Sequence, residues 1–363
     1  MRNGIKDIFL ALVRMGIGHF IEFQPHVTDW VNIRAIAMRQ GLEAIVLDAI
    51  ERLSEDKRPT KDILLQWIGE NLHAYEIRYE SYRGALTELA SFFNSHDNKM
   101  MVLKGYACSL NWPRPEHRPC GDIDIWLFGK QKEADELLTK KKGIKIDKSH
   151  HHHTVYSWHG FVVENHYDFV NVHTRRSNTE LERIFKELGK DDRYFVETRD
   201  ASIGSVTKIY LPSPNLHALF LIKHMVSHFA AAEITLRHIL DWAFFVEKHT
   251  DEVDWEWLVG LLEKYHIKVF FNCVNAICVE DLGFSSGLFP MVQFLPELKE
   301  KVLNDILEPA YGADEPEGLI PRLAYKYRRW QGNAWKQELC YPESRWNTFW
   351  KGIWTKMLKP ASF

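Results

Sequence analysis

The sequence predicts an α+β fold in which a small mixed β-sheet is flanked by an N-terminal and a C-terminal helical region. Three features carry this prediction. Apolar residues recur at intervals of three and four in the first hundred residues, short alternating segments follow, and the helical period returns after the segment LPSPN. The predicted regions are therefore residues 1–97, 98–210 and 211–363.

The N-terminal region is predicted to be helical. Its segment VNIRAIAMRQGLEAIVLDAIERL has the amphipathic spacing of helices that bury one side. A polar loop, SEDKRPTKD, follows it. Thr60 is the predicted cap of the next helix, which runs through ILLQWIGENLHAYEIRYESYRGALTELASFF.

The central region has the pattern of a sheet. Strands are predicted at MMVLKG, DIDIWLF and GFVVENHYDFVNVH, with a helix at KEADELLTKKK between the last two. In the C-terminal region, helices are predicted at LHALFLIKHMVSHF, at ITLRHILDWAFFVEKH and within residues 254–280 and 294–308.

Composition excludes several classes of protein. With 45% hydrophobic and 26% charged residues among 363, the chain is neither disordered nor fibrous. Its net charge of −3 gives no whole-chain sign of nucleic-acid binding. The five cysteines form no Cys-x-x-Cys pair, which argues against a disulfide framework and a thiolate zinc site. Since no apolar run has the length of a signal peptide core or a bilayer span, we expect a soluble, cytoplasmic protein without a transmembrane segment.

Two acids on a predicted strand are the strongest indication of a functional site in this sequence. Asp122 and Asp124 are two residues apart, so their side chains project from the same face. Adjacent carboxylates repel unless a cation lies between them, and hard oxygen ligands suit Mg²⁺. A solvated strand end is the alternative interpretation. The flanking Ile123 and Ile125, together with Gly121, favour a buried strand, where paired acids need a partner.

Basic residues near these acids are candidates for binding phosphate. Lys104 and Gly105 end the preceding strand, where glycine lets a ligand approach the backbone and lysine adds a positive charge. Arg118 precedes Gly121 and could hold a phosphate or a leaving group. Each residue also has an ordinary alternative, a strand end for Lys104–Gly105 and a surface loop for Arg118.

A third carboxylate is predicted on the later strand GFVVENHYDF. Glu164, His166 and Asp168 alternate along it, so they share one face. Glu164 would complete a metal triad or accept a proton, His166 would orient it or contact a substrate, and Asp168 is the reserve candidate. A half-exposed strand with a polar outer face is the alternative.

This arrangement resembles the polymerase-beta-like nucleotidyltransferase superfamily. Its mark is a Gly-led helix, then a strand with Asp-x-Asp, then a third acid on a later strand. More narrowly, the chain resembles an uncharacterised bacterial nucleotidyltransferase family. The matching elements are Lys104–Gly105, Arg118, Gly121-Asp122-Ile123-Asp124, Glu164-Asn165-His166, and Arg237 with Asp241. The interval from Gly105 to Asp122 is longer than the superfamily's common spacing.

The resemblance implies a nucleotidyltransferase core and an activity. A nucleoside monophosphate would pass from a nucleoside triphosphate such as ATP to an unknown acceptor, with two Mg²⁺ ions (Mn²⁺ as the alternative) held by Asp122, Asp124 and Glu164. The implied nucleotide-binding residues are Lys104, Gly105, Arg118, Gly121, His166, Arg237 and Asp241. Nucleic acid is not indicated as a partner.

Two further features leave alternatives open. The run His150–His153 fits adventitious metal binding or a polar strand face, and substrate contact is the sharper interpretation. The basic, Trp-rich segment from Arg322 to Lys359 is interpreted as a helical region whose tryptophans pack on the core, with a membrane or nucleic-acid face as the alternative. The rival functions are a non-catalytic nucleotide-binding or interaction module and a His-rich metallohydrolase.

Overall fold

Fifteen α-helices and one six-stranded mixed sheet make up the part of the chain that the structure describes, which confirms the predicted α+β class. This computed structural model describes residues 4–19, 21, 26–150, 152–173, 175–199, 204, 206–290, 295–311 and 316–348. The helices are α1 (Ile5–Gly16), α2 (Trp30–Gln40), α3 (Glu43–Arg52), α4 (Lys61–Asn71), α5 (Arg78–Asn94), α6 (Tyr106–Ser109), α7 (Gln131–Lys142), α8 (Arg176–Leu188), α9 (Pro214–Ala231), α10 (Leu236–His249), α11 (Trp255–Lys264), α12 (Lys268–Ala276), α13 (Pro296–Leu307), α14 (Leu319–Gly332) and α15 (Ala334–Cys340). The strands are β1 (Met101–Val102), β2 (Ile123–Trp126), β3 (His153–Trp158), β4 (Phe161–His166), β5 (Phe195–Arg199) and β6 (Val206–Tyr210).

The chain divides into two compact units, and neither is a continuous stretch of sequence. The helical unit consists of Met1–Glu76, Asn111–Arg118 and Leu221–Tyr341. The sheet unit consists of Ile77–Leu110, Pro119–Phe220 and Pro342–Phe363. The chain therefore leaves the sheet unit after Leu110 and returns to it at Pro119, just before the predicted Asp-x-Asp strand.

The sheet has the strand order β3-β4-β2-β1-β6-β5. Strands β2 and β4 are parallel, as are β1 and β6, and the other neighbours are antiparallel. The three predicted strands are therefore neighbours within the sheet, with β2 between β4 and β1. In the β2–β4 register Asp124 lies opposite Glu164, and Trp126 lies opposite His166.

The two faces of strands β2 and β4 have different chemistry because side chains alternate along a strand. Ile123, Ile125 and Val163 are fully buried in an apolar core. Helices α5 and α7 contribute Tyr82, Leu86, Leu89, Phe93, Ala134 and Leu138 to this core. Each large apolar side chain buried here stabilises the fold by about 1.5–3 kcal/mol. The opposite face carries Asp124 and Glu164.

Glycine at position 105 is required by the turn that leads out of β1. Its φ of 51° and ψ of −101° lie in a region that side chains other than glycine's rarely adopt. A Cβ atom there would lie 2.3 Å from the Tyr82 hydroxyl oxygen. That hydroxyl donates a hydrogen bond of 3.0 Å to the Asp122 carbonyl oxygen. Gly105 therefore lets Tyr82 hold the start of β2.

The helical unit is built by close packing of amphipathic helices. At the end of α1, a Cβ atom on Gly16 would lie only 2.0 Å from the Ile45 carbonyl oxygen of α3, so the two helices approach as closely as glycine allows. The indole of Trp242 in α10 is fully buried and donates a hydrogen bond of 2.9 Å to the Asn275 side chain. Within the described residues, no helix combines the length and the hydropathy that crossing a bilayer demands.

The predicted helices differ from the observed ones in three places. The second N-terminal helix begins after Thr60, as expected, but Thr60 makes no side-chain cap hydrogen bond, and a π-helical turn at Leu72–Ile77 separates α4 from α5. Helix α8 was not predicted. Its Leu181, Ile184, Phe185 and Leu188 have the three- and four-residue spacing of an amphipathic helix, so the sequence carried a signal for it even though the polar Ser177, Asn178 and Glu182 are buried beside them.

The basic C-terminal segment is helical where it is described. Helix α14 buries none of its residues, so the predicted packing of this segment on a core does not hold there. In α15 the Trp335 ring lies edge-on to Phe229, with 5.6 Å between ring centroids, and this tryptophan does pack as predicted. Trp350 and Trp354 lie outside the described residues.

Replacing Gly105 with alanine is expected to destabilise the protein by about 2 kcal/mol or more, because it adds backbone strain and a collision with Tyr82. Gly129→Ala is the matched control, since Gly129 also has a positive φ (92°) but no atom within 4 Å of the added Cβ. Chemical denaturation of both variants measures the difference. Equal losses of unfolding free energy would show that Gly105 is needed for φ alone.

Candidate active site

The candidate site lies on the polar face of strands β2 and β4. Asp124 and Glu164 are register partners on these parallel strands, so their side chains project side by side. His166 lies two residues further along β4 on the same face. Each of Asp124, Glu164 and His166 offers a ligand atom that lies within 4.8 Å of the other two.

The Asp124 carboxylate has one oxygen paired and one oxygen unpaired. Only 1% of the residue is exposed. Its Oδ1 accepts from the Lys104 ammonium at 2.8 Å and from His166 Nε2 at 3.1 Å. Its Oδ2 is buried and has no hydrogen-bond partner among the described residues. A buried carboxylate oxygen without a donor is costly, so this atom is poised to bind a cation or a donor.

His166 links the two acids. Its Nε2 lies 3.5 Å from Glu164 Oε2 as well as 3.1 Å from Asp124 Oδ1, and its Nδ1 lies 3.3 Å from the Asp168 carbonyl oxygen. Both ring nitrogens therefore face acceptors. Only the imidazolium form donates from both nitrogens, so the geometry indicates a positively charged His166.

The charges of the site are strongly coupled. Burial disfavours a charged Asp124, yet the Lys104 ammonium and the hydrogen bond from His166 hold the pKa of this carboxyl below its usual range. Burial also opposes the charge on His166, but its hydrogen bonds to Asp124 and Glu164 raise the pKa of the imidazole to about 9. The pKa of Glu164 is lowered overall, although burial alone would raise it, because His166 donates to it.

Asp122 lies at the rim of the site, one residue before β2 begins. The residue is exposed, and its carbonyl oxygen is the group that Tyr82 holds. Partial desolvation and then the neighbouring Asp124 charge raise the pKa of the Asp122 carboxyl. It is the one of the three predicted acids whose pKa is raised.

Asp168, the reserve candidate, does not share the face of Glu164. Strand β4 ends at His166, so the alternation that placed Asp168 on this face does not continue to it. Its carboxylate binds Lys186 at 2.5 Å. The prediction of a shared face was wrong for this residue because the strand is shorter than its sequence pattern.

Of the two glycines predicted to bind phosphate, only Gly105 occupies a position where the backbone requires glycine. Gly105 is required by the turn described above, beside Lys104. Gly121 has an ordinary φ, and a Cβ atom on it would meet nothing within 4 Å. Lys104 is bound to Asp124, so in this structure its ammonium balances the acid rather than facing open solvent.

The remaining predicted residues belong to the helical unit. The Arg118 guanidinium binds both oxygens of Asp241, with Nε–Oδ1 at 2.7 Å and Nη2–Oδ2 at 2.9 Å, and Trp112 Nε1 also donates to Oδ1 at 2.9 Å. Burial would raise the pKa of Asp241, but Arg118 and then Arg237 lower it. Arg118 and Asp241 thus form a buried bidentate pair, which sequence reasoning did not connect because 123 residues separate them.

The His150–His153 run, for which the sequence left substrate contact open, contributes to the site's surroundings. His152 and His153 lie beside His166 at the start of β3, since His153 is the register partner of His166. The four-histidine run was the available signal, but the strand pairing that brings it to β4 is not visible in local periodicity. His151 lies outside the described residues.

Comparison with known proteins adds an independent observation. The model of a family described as uncharacterised nucleotidyltransferase matches residues 26–283, which is most of the chain and includes every predicted site residue. The chain belongs to this family. No curated protein and no solved structure matches it. Membership of this family supports a nucleotidyl transfer activity and hence a nucleotide substrate. The match also confirms the resemblance seen in the sequence.

We expect His166 to make the metal-free protein less stable as pH rises. Its folded-state pKa of about 9 lies above the ordinary 6.5, so its contribution is complete below pH 6.5 and is lost as pH rises through 9. The stability difference between the wild type and His166→Gln should shrink by a few kcal/mol across this window, at about 1.4 kcal/mol per pKa unit.

Denaturant unfolding in the presence of a chelator, repeated at several pH values, measures this difference. His159→Asn is the control, because His159 is an exposed residue on the same hairpin and contacts Glu88 instead of the site acids. A wild-type advantage that stays constant with pH would contradict the charged state of His166.

Proposed function

We propose that this member of the uncharacterised nucleotidyltransferase family is a metal-dependent nucleotidyltransferase. It would transfer a nucleoside monophosphate from a nucleoside triphosphate to a hydroxyl-bearing acceptor. The observation that carries the proposal is the register pairing of Asp124 with Glu164, together with the buried, unpaired Oδ2 of Asp124.

The donor set fits a hard divalent cation. Asp122, Asp124 and Glu164 provide carboxylate oxygens, and Mg²⁺ typically takes one or two carboxylates together with substrate phosphates. These three acids are opposed by two cationic side chains, Lys104 and His166, so the site keeps an excess of negative charge. Two Mg²⁺ ions held here, or Mn²⁺ in their place, would neutralise charge that develops on the transferring phosphoryl group and on the departing pyrophosphate.

The chain's own residues would position the reactants. Lys104 would donate to a phosphate oxygen once a cation neutralises Asp124, and the turn at Gly105 brings its ammonium to that place. His166 would keep Asp124 and Glu164 oriented through its two hydrogen bonds. The acceptor hydroxyl must lose a proton as its oxygen attacks the α-phosphorus and the bond to pyrophosphate breaks. The exposed Asp122 would take that proton on the carboxylate oxygen that a cation leaves free.

We expect Asp124→Asn to reduce nucleotidyl transfer by about a thousandfold or more, since it removes a carboxylate that would neutralise transition-state charge. The assay supplies α-labelled nucleoside triphosphates, Mg²⁺ and cell extract, and identifies which species becomes labelled. Asp168→Asn is the matched control. The Asp168 carboxylate is bound to Lys186, so this substitution should leave transfer nearly unchanged.

Circular dichroism on both variants separates loss of chemistry from loss of fold. Full transfer by a folded Asp124→Asn protein, with the same metal dependence as the wild type, would refute the mechanism.

Nucleotide binding distinguishes an enzyme that uses a metal–nucleotide complex from a non-catalytic binding module. We expect ATP to bind with Mg²⁺ and to lose most of its affinity with a chelator, because the acids repel free triphosphate. Lys104→Ala should weaken binding about tenfold or more, the cost of one charge-assisted hydrogen bond.

Isothermal titration of ATP, with and without Mg²⁺, measures these affinities. Lys99→Ala serves as the control, since Lys99 is an exposed lysine just before β1 that pairs with Asp192. Equal ATP affinity with and without the ion would favour the binding module. Unchanged affinity in Lys104→Ala would remove the phosphate role of this lysine.

A further inference from the structure

Three imidazoles converge at the end of strands β3 and β4 beside the acids. His152, His153 and His166 each offer a ring nitrogen, and these three atoms lie within 4.8 Å of one another. His153 and His166 are antiparallel register partners, so the pairing of the two strands sets their separation. Their ring centroids are 5.2 Å apart, and the His152 and His153 centroids are 4.3 Å apart.

Two of these rings have a nitrogen without a hydrogen-bond partner in the described part of the chain. The Nδ1 atoms of His152 and His153 are buried and have no hydrogen-bond partner among the described residues. Only 7% of His153 is exposed. Buried polar atoms are nearly always paired, so two unpaired nitrogens on rings whose centroids are 4.3 Å apart point to a ligand that the two rings share.

Glu164 lies near two of the three rings. Glu164 Oε2 lies 3.9 Å from His153 Nδ1 and 3.5 Å from His166 Nε2. Ligand atoms around a tetrahedral zinc ion are about 3.4 Å apart, given zinc–nitrogen bonds of about 2.0–2.1 Å. These separations need little adjustment to hold one ion.

We propose that His152, His153 and His166, with Glu164 as the fourth ligand, form a binding site for a transition-metal ion of the Zn²⁺ class. Three nitrogens and one oxygen suit Zn²⁺ and its neighbours, whereas Mg²⁺ prefers oxygen ligands. The chain therefore carries two adjoining donor sets, one rich in oxygen at Asp122 and Asp124 and one rich in nitrogen at the histidines, with Glu164 within reach of both.

The shared ligands give this site a consequence for catalysis. An ion on His166 and Glu164 would displace the His166 proton to solvent, break the hydrogen bond to Asp124 and occupy an acid that Mg²⁺ requires. Zn²⁺ would therefore inhibit Mg²⁺-dependent nucleotidyl transfer, a consequence that rests on the function proposed above. The binding site itself does not depend on that function.

The test is a titration of metal-free, full-length protein without an affinity tag and without nucleotide. Isothermal titration with Zn²⁺ alone should show one ion bound per chain, and His153→Ala should weaken binding about tenfold or more. Co²⁺ should give the visible absorption of a tetrahedral ion in the wild type and lose it in His153→Ala. His159→Asn, an exposed residue on the same hairpin, should change neither result.

A second variant guards against a loss of fold. His152→Ala removes a half-buried ring outside the strands and should weaken Zn²⁺ binding while preserving the unfolding transition in the metal-free protein. Zn²⁺ affinity that survives in both variants would assign the binding to surface histidines and overturn the proposal. Because no nucleotide is present, this outcome differs from a failure of nucleotidyl transfer, which the labelled-nucleotide assay reports.

Discussion

The site depends on the repulsion between two neighbouring carboxylates and on the two cationic side chains that offset it. Pairing β2 with β4 places the Asp124 and Glu164 carboxylates side by side on a largely buried face, where like charges are unfavourable. Lys104 and His166 supply the compensation, through contacts of 2.8 Å and 3.1 Å to the same oxygen of Asp124. The turn at Gly105 and the hydrogen bond from Tyr82 to the Asp122 carbonyl keep these groups in place. Removing either cation would therefore disturb the whole polar face.

Much of this arrangement could be predicted from local sequence. The alternation in GDIDIW and GFVVENH predicted the two strands and the shared face of their acids, because strand geometry dictates it. The partners of those acids could not be predicted. Lys104 was expected to face phosphate, yet it pairs with Asp124, and Arg118 pairs with Asp241 across the helical unit. Such contacts join residues far apart in sequence, so they follow from tertiary packing and leave no periodic signal. Helix α8 was missed even though Leu181, Ile184, Phe185 and Leu188 give it a helical apolar period.

The two groups of potential metal ligands on this face differ in their donor atoms. Carboxylates at the start of β2 offer hard oxygens, and imidazoles at the start of β3 offer softer nitrogens. His166 is placed between them by its two register neighbours, Trp126 of β2 and His153 of β3. The proton on His166 Nε2 serves Asp124, whereas a bound transition-metal ion would need the lone pair of a nitrogen on the same ring.

Residues Asn111–Arg118 belong to the helical unit although the residues on either side of them belong to the sheet unit. This interruption has an evolutionary and practical consequence. These residues lie between Lys104 and the acids of β2 in the sequence. Arg118, at their end, is anchored by a bidentate pair to Asp241. Neither unit can be excised as a single stretch of gene, and recombination that exchanges one without the other would sever this segment. Homologues of this chain should therefore inherit or lose both units together.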